Sequence, residues 1–229
     1  MKITKIKFYD GARDKVCRLG IADLFLELQQ VILDTPITLL EEKDANGAAA
    51  VRVAIDCSFE RMGGWEKKGS GGVDWIKKIR YNQSILSRLG VEVQVSARSD
   101  LLIRDIVHLR NSLQGSEIDI GVIVVPDNRM QHFLPDRTPC FKDAIRYVEE
   151  EFKEAMTFPI IIIAIEHDGP GAPLAKKRKK DVTVEVDTIR EEMPPDLKKK
   201  LFPDDEPADP AKVRQSASTA SKKGSRENP

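Results

Sequence analysis

The stretch Gly90-Val91-Glu92-Val93-Gln94-Val95-Ser96 alternates without a break. In a β-strand, residues two apart share a face and stand roughly 6.6 Å from one another. Val91, Val93 and Val95 therefore line one side, and Glu92, Gln94 and Ser96 the other. The pattern predicts a strand over 91–96 with one apolar face. For its carboxylate two readings stand side by side: a polar side chain on a solvent face, or a ligand held in a site.

The surrounding sequence gives this strand its partners. After Ala97-Arg98 a helix is predicted, with Ser99 and Asp100 offering N-cap oxygens, through Leu102, Ile103, Ile106, Val107 and Leu113 to a stop at Gly115. A strand follows over Ile118 to Val125, closed by Pro126, then a loop to Pro139. A helix from about Phe141 to Met156 leads to Pro159 and the buried-strand run Ile160 to Ile165.

Upstream, Val73 to Ile79 reads as a further strand, and Gly63 to Gly72 as a flexible, lysine-bearing loop. Ala48 to Met62 fits strand or helix, leaning to helix near Phe59, and residues 12–33 read as one amphipathic helix on Val16, Leu19, Leu24, Leu28, Val31 and Ile32. Strands alternating with helices imply an α/β sheet with at least one right-handed crossover.

Composition changes after Asp168. Residues 1–168 read as a mildly acidic core, and 169–229 as a basic, proline-rich extension containing the run Lys176-Lys177-Arg178-Lys179-Lys180, with little fixed structure expected beyond about 194. Val182, Val184 and Val186 alternate and suggest one extra strand. Zero net charge argues against a protein that coats nucleic acid by bulk electrostatics, but it leaves room for a basic cleft on an otherwise acidic surface. No apolar run is long enough to span a bilayer, and Met1-Lys2-Ile3-Thr4-Lys5 does not open a signal peptide, so a cytoplasmic protein is expected. Cys17, Cys57 and Cys140 lack paired spacing and read as free thiols, while His108, His132 and His167 make no metal-ligand spacing.

If Asp74 lies on a strand beside Glu92, two carboxylates converge, and a hard divalent cation is their natural partner. Such a cation suits phosphodiester hydrolysis. Asp74 and Glu92 would be its direct ligands, the Val93 carbonyl a third, and Gln94 would position water or phosphate. Taken alone, this D…ExQ pattern is a weak signal, because an alternating strand with polar residues on its solvent face is far commoner than a nuclease site.

The run 90–96, the helix after it, Glu117-Ile118-Asp119-Ile120-Gly121-Val122-Ile123-Val124-Val125-Pro126, and the strand from Pro159 to Ile165 resemble the BglII/BstYI-type restriction endonucleases. Phe59 with Gly64-Trp65-Glu66-Lys67 is similar to that family's helix ending in Gly-Trp-Lys, and Val73-Asp74-Trp75-Ile76-Lys77 to the stretch bearing its first catalytic aspartate. There the PD-(D/E)XK nuclease motif carries glutamine in place of lysine, as at Gln94. The likeness covers about residues 50–166. It implies a restriction-endonuclease-like core with a mixed central sheet flanked by helices, and Asp74, Glu92 and Gln94 as the catalytic and metal residues. The connection between Asp74 and Glu92 is longer than the family leads one to expect, implying a longer hairpin. A family asparagine would fall near Lys68, where this chain has no amide.

The resemblance further implies a Mg²⁺-dependent type II enzyme that cuts double-stranded DNA at a short palindrome related to GATC. It would act as a homodimer and have a cognate DNA methyltransferase as its genetic partner. Rival expectations are a nuclease of repair or phage defence without fixed specificity, and a non-catalytic DNA-binding protein. Lys67, Lys68, Arg98, Asn128 and Arg129 are candidate DNA contacts, each weighed against an ordinary solvated surface, as are Arg104, Arg110 and the loop from Asp127 to Arg137. The basic run 176–180 reads as a phosphate clamp or a charged linker.

Overall fold

The computed structural model describes residues 1–67 and 72–183. Its centre is a six-stranded mixed sheet built from β1 (Lys2–Phe8), β3 (Glu66–Lys67), β4 (Trp75–Tyr81), β5 (Ser84–Val93), β6 (Ile120–Pro126) and β7 (Ile160–Glu166), in the order β1-β7-β6-β5-β4-β3. The inner strands β5, β6 and β7 run parallel, and the outer pairings are antiparallel. A two-residue parallel pair joins β2 (Thr38–Leu39) to β8 (Gly169–Pro170).

Helices cover both faces of the sheet. On one side α1 (Ala12–Arg18), α2 (Ala22–Leu33) and α3 (Ala48–Met62) pack on Val91, Val93, Val122, Val124, Ile161 and Ile163. On the other, α4 (Ser99–Gln114) and α6 (Phe141–Arg146) pack on Ile123, Val125, Ile160 and Ile162. Strands buried on both faces explain the unbroken apolar runs of β6 and β7. The α/β expectation holds, with the mixed sheet and flanking helices.

Several boundaries differ from the sequence reading. Residues 12–33 form two helices, because Gly20 in the left-handed region (φ 67°) turns the chain between them. β1 was not anticipated: its burial pattern is irregular and a bulge falls between Ile3 and Lys5, so it lacks a clean period of two. Ala48 to Met62 is helix throughout. Within the glycine-rich stretch, Glu66–Lys67 pairs with β4, while Lys68 lies outside the described residues. The segment after Pro126 holds α5 (Asn128–Phe133) where a loop was expected, started by the Asp127 side chain accepting from the Asn128 amide at 2.7 Å. Residues 141–157 break into α6, a π-helical turn at Tyr147–Glu151 and a 3₁₀ turn at Lys153–Thr157. α4 starts from Arg98 as its N-cap, with no side-chain cap from Ser99 or Asp100. Val182 lies in a helical turn that begins at Lys179, against the suggested extra strand, and Val184 and Val186 lie outside the described residues.

The two strands of the proposed motif form the longer hairpin that the sequence implied, paired up to a tight turn. β5 begins at Ser84, seven residues before the predicted start, and ends at Val93. Asn82 and Gln83, both at positive φ (45° and 70°), connect it to β4 in a two-residue turn whose twist matches the strands. The length between Asp74 and Glu92 is thus taken up by paired strand.

Candidate active site

The alternation of β5 persists, but its polar side is not a solvent face. Glu92 is 3% exposed and Gln94 4%, because α4 lies over them. Gly121, the cross-strand partner of Gly90, lets it approach: a Cβ there would come within 2.9 Å of Leu109. Leu102, Ile106 and Leu109 fill the contact. Asp105 and His108, on the same helix, reach the strand beside Glu92.

Asp74 stands just before β4. Its Oδ2 accepts the Val93 amide at 2.9 Å, which fastens it to the end of β5 next to Glu92. Oε1 of Glu92 is buried without a hydrogen-bond partner, 3.7 Å from Nδ1 of His108. Burial, then the charges of Asp74 and Asp105, push the Glu92 carboxyl far above the usual carboxylate range. Asp105 is pushed up to about 6, by burial and then by Asp74. Burial opposes ionisation of Asp74 too, but the Arg52 guanidinium outweighs it and holds Asp74 below its ordinary value.

Arg52 on α3 ties the site together from the other side of the sheet. It reaches Asp74 Oδ1 at 2.8 Å, Asp56 Oδ1 at 2.9 Å and the Val93 carbonyl at 2.5 Å. Asp56 in turn accepts from the Trp75 indole at 3.1 Å, and Trp75 stacks on Phe59 at 4.9 Å between ring centroids. Gln94 has its amide fixed at both ends: its Oε1 accepts from Ser96 at 3.0 Å and its Nε2 donates to the Arg98 carbonyl at 3.3 Å. A cavity of about 230 Å³ opens onto Asp74, Gln94 and Asp105, with Arg52, Arg104 and Lys179 on its walls. A larger one of about 420 Å³ shares Arg52 and Lys179 and is bounded by Lys176.

This is an acidic floor under a basic rim. The floor can hold a divalent cation: converging carboxylates, one oxygen of them buried and unpartnered, are a donor set that a hard cation satisfies. The rim can hold a phosphate.

The family model for restriction endonuclease BglII/BglIII matches residues 9–165. The chain belongs to this family. It is also similar to the type II restriction enzyme BamHI of Bacillus amyloliquefaciens, 27% identical over 147 residues, which is 59% of this chain and 67% of BamHI. As a BglII/BglIII-family restriction endonuclease it is a nuclease acting on DNA. The match takes in all of β4, β5 and α4, and with them the acidic floor.

The other residues singled out from the sequence of this restriction endonuclease scatter around that floor. Lys67 leans over it, 3.8 Å from Asp56 and 5.1 Å above the Trp75 ring. Arg98 is fully exposed and forks onto Asp100 at 2.6 Å and 3.2 Å. Arg104 pairs with Asp105 at 3.3 Å, and Arg110 with Glu154 at 3.2 Å. Asn128 accepts the Lys142 amide at 3.3 Å, and Arg129 is bound to Glu41 at 2.8 Å. Both sit on α5, at the end of β6 that lies level with the end of β5.

Sequence reasoning missed Arg52, Asp56, Asp105, His108 and Lys179. Arg52 and Asp56 carried a signal, opposite charges four apart on a helix whose neighbours are buried. So did Asp105, a charge set among the apolar positions of α4. The histidines were set aside for want of ligand spacing, and His108 comes to the site through space. His167 is buried in contacts with Glu41 and Glu166. Lys179 reaches Asp56 Oδ2 at 2.8 Å from the segment read as a phosphate clamp or a charged linker.

Proposed function

We propose that this restriction endonuclease hydrolyses double-stranded DNA at a short palindrome in a Mg²⁺-dependent reaction, with Asp74, Glu92 and Gln94 as its catalytic residues. The observation that carries the reading is the convergence of Asp74 and Glu92 at the end of β5, where Glu92 keeps one buried oxygen unpartnered. Asp74, Glu92 and the Val93 carbonyl would hold the cation. When bound, it would make water more acidic and offset the charge that grows on the scissile phosphate.

The chain's own groups supply the rest. Arg52 keeps Asp74 ionised and aligned, and Gln94, locked between Ser96 and Arg98, presents a fixed amide to water or phosphate. A glutamine is no base, so Gln94 orients and does not deprotonate. Arg104, Lys67 and Lys179 offer positive charge to the phosphates beside the cleft. Lys68, Arg98, Asn128 and Arg129 are further proposed DNA contacts.

Homodimerisation fits a palindrome, since a twofold axis would place one site on each strand. A restriction-modification system, with a cognate methyltransferase and a cytoplasmic location, belongs to the same reading. We divide the chain into a nuclease core over 1–168 and an accessory extension over 169–229. Digestion of plasmid DNA with Mg²⁺ tests the specificity: discrete bands are expected, and a smear would mean a nuclease without a fixed site. Glu92→Ala should abolish cleavage and leave DNA binding largely intact, and unchanged turnover would sink the assignment of Glu92.

A further inference from the structure

Glu92 has more neighbours able to bind a metal than the proposed Mg²⁺ site uses. Asp105 and His108 are three residues apart on α4, hence on one face of the helix, and both are directed at Glu92. One ligand atom from each of Glu92, Asp105 and His108 lies within 4.8 Å of the others. The unpartnered, buried Oε1 of Glu92 points into this group, 3.7 Å from Nδ1 of His108. Among the described residues nothing satisfies that oxygen, although an orphan acceptor at 3% exposure is costly.

The geometry points to a second divalent-cation site, formed by Glu92, Asp105 and His108, which takes a transition ion such as Mn²⁺ or Co²⁺ in preference to Mg²⁺. It rests on the reading above only in that Glu92 would be shared between the two positions. Imidazole is the reason for the selectivity: it is a good ligand for first-row transition ions and a poor one for Mg²⁺, which prefers oxygen and keeps its waters. An acid and a histidine at i and i+3 on one helix, opposite a carboxylate from another element, is a donor set that holds transition ions in helical scaffolds. Around an ion with bonds near 2.1 Å, neighbouring ligand atoms sit roughly 3.0–3.4 Å apart, so the three side chains need to close by about an ångström. The cavity lined by Asp105 gives an ion its route in. Arg104, the cation on Asp105, is more than half exposed and free to swing away.

Mn²⁺ titrated into the full-length protein without DNA, and followed by pulsed electron paramagnetic resonance, tests this without reference to cleavage. The wild type should show ¹⁴N coupling from a bound imidazole. His108→Gln should lose that coupling and bind Mn²⁺ at least about tenfold more weakly at this position, and Asp74→Asn should keep it. Absence of ¹⁴N coupling in the wild type overturns the proposal whatever the variants do. Persistence in His108→Gln overturns it too, since another histidine would then be the ligand. Loss of coupling in a folded Asp74→Asn protein would mean a single site that needs Asp74, and that also rules out the second one. Mg²⁺-dependent cleavage that survives Asp74→Asn would sink the proposed function and leave this inference standing.

Discussion

Glu92 is held where its charge is unwelcome. Its pKa in the folded protein lies above the ordinary 4.5, chiefly through burial and then through Asp74 and Asp105. The folded state therefore binds more protons than the unfolded one above pH 4.5, and stability conferred by the protonated form is lost as pH rises from there towards the folded pKa. Glu92→Gln keeps the shape and removes the titration. In metal-free buffer at neutral pH it should raise Tm by about 2–6 °C while cleavage is lost, and the gain should shrink towards pH 4.5. A Tm below wild type in thermal scans at pH 7 would show that Glu92 is stabilised by its partners without a metal. Asn46 illustrates the opposite kind of buried polar residue. Its side chain, wholly buried, bonds both Leu40 backbone groups, the Phe133 carbonyl and the Leu174 amide. Asn46→Leu strands the Leu40 and Leu174 amides, while the Leu40 and Phe133 carbonyls keep backbone donors, and it should cost about 2–4 kcal/mol in urea denaturation; a loss below about 1 kcal/mol would mean that water replaces the amide.

At the scale of elements, strands were easier to see in the sequence than what lies on them. β6 and β7 announce themselves as runs dominated by valine and isoleucine because both faces are buried. The alternation of Glu92 and Gln94 was visible, but whether that face met water or a helix was not, because α4 closes on it over Gly121, which lies on the neighbouring strand. The placing of Asp74 beside Glu92 was a condition in the sequence and rested on family likeness, since the hairpin register that brings it to Val93 depends on a two-residue turn with unusual residues, Asn82 and Gln83. The basic run is the sharpest case. Leu174 receives the Gly47 amide at 2.8 Å, and a Cβ on Gly47 would collide with the Ala175 carbonyl, so the chain is pressed against the start of α3 and Lys179 is delivered to Asp56. Replacing the five cations of 176–180 by serine should weaken DNA binding similarly on cognate and random sequence, and flatten the slope of affinity against salt in a fluorescence anisotropy titration. A changed cleavage sequence with an unchanged salt slope would show that this segment reads bases.

Across the whole molecule, a neutral chain divides its charge by place: Asp74 just before β4 and carboxylates on β5 and α4 gather beneath the cleft, and arginine and lysine from α3, α4 and the 176–180 segment ring it. The strand ends that carry the site are those of the parallel centre, where open α/β sheets commonly place ligands. Family membership gives DNA as the substrate, and the arrangement gives a place for a cation and a phosphate within it. The most direct measurement is Mg²⁺-dependent cleavage of plasmid DNA by the wild type and by Asp74→Asn, at matched DNA binding measured in Ca²⁺. The account predicts that wild-type cleavage stops with EDTA, returns with Mg²⁺, and falls at least about a hundredfold in Asp74→Asn while binding stays within a few-fold. Cleavage by Asp74→Asn at the wild-type rate would contradict it, and would show that another carboxylate completes the site.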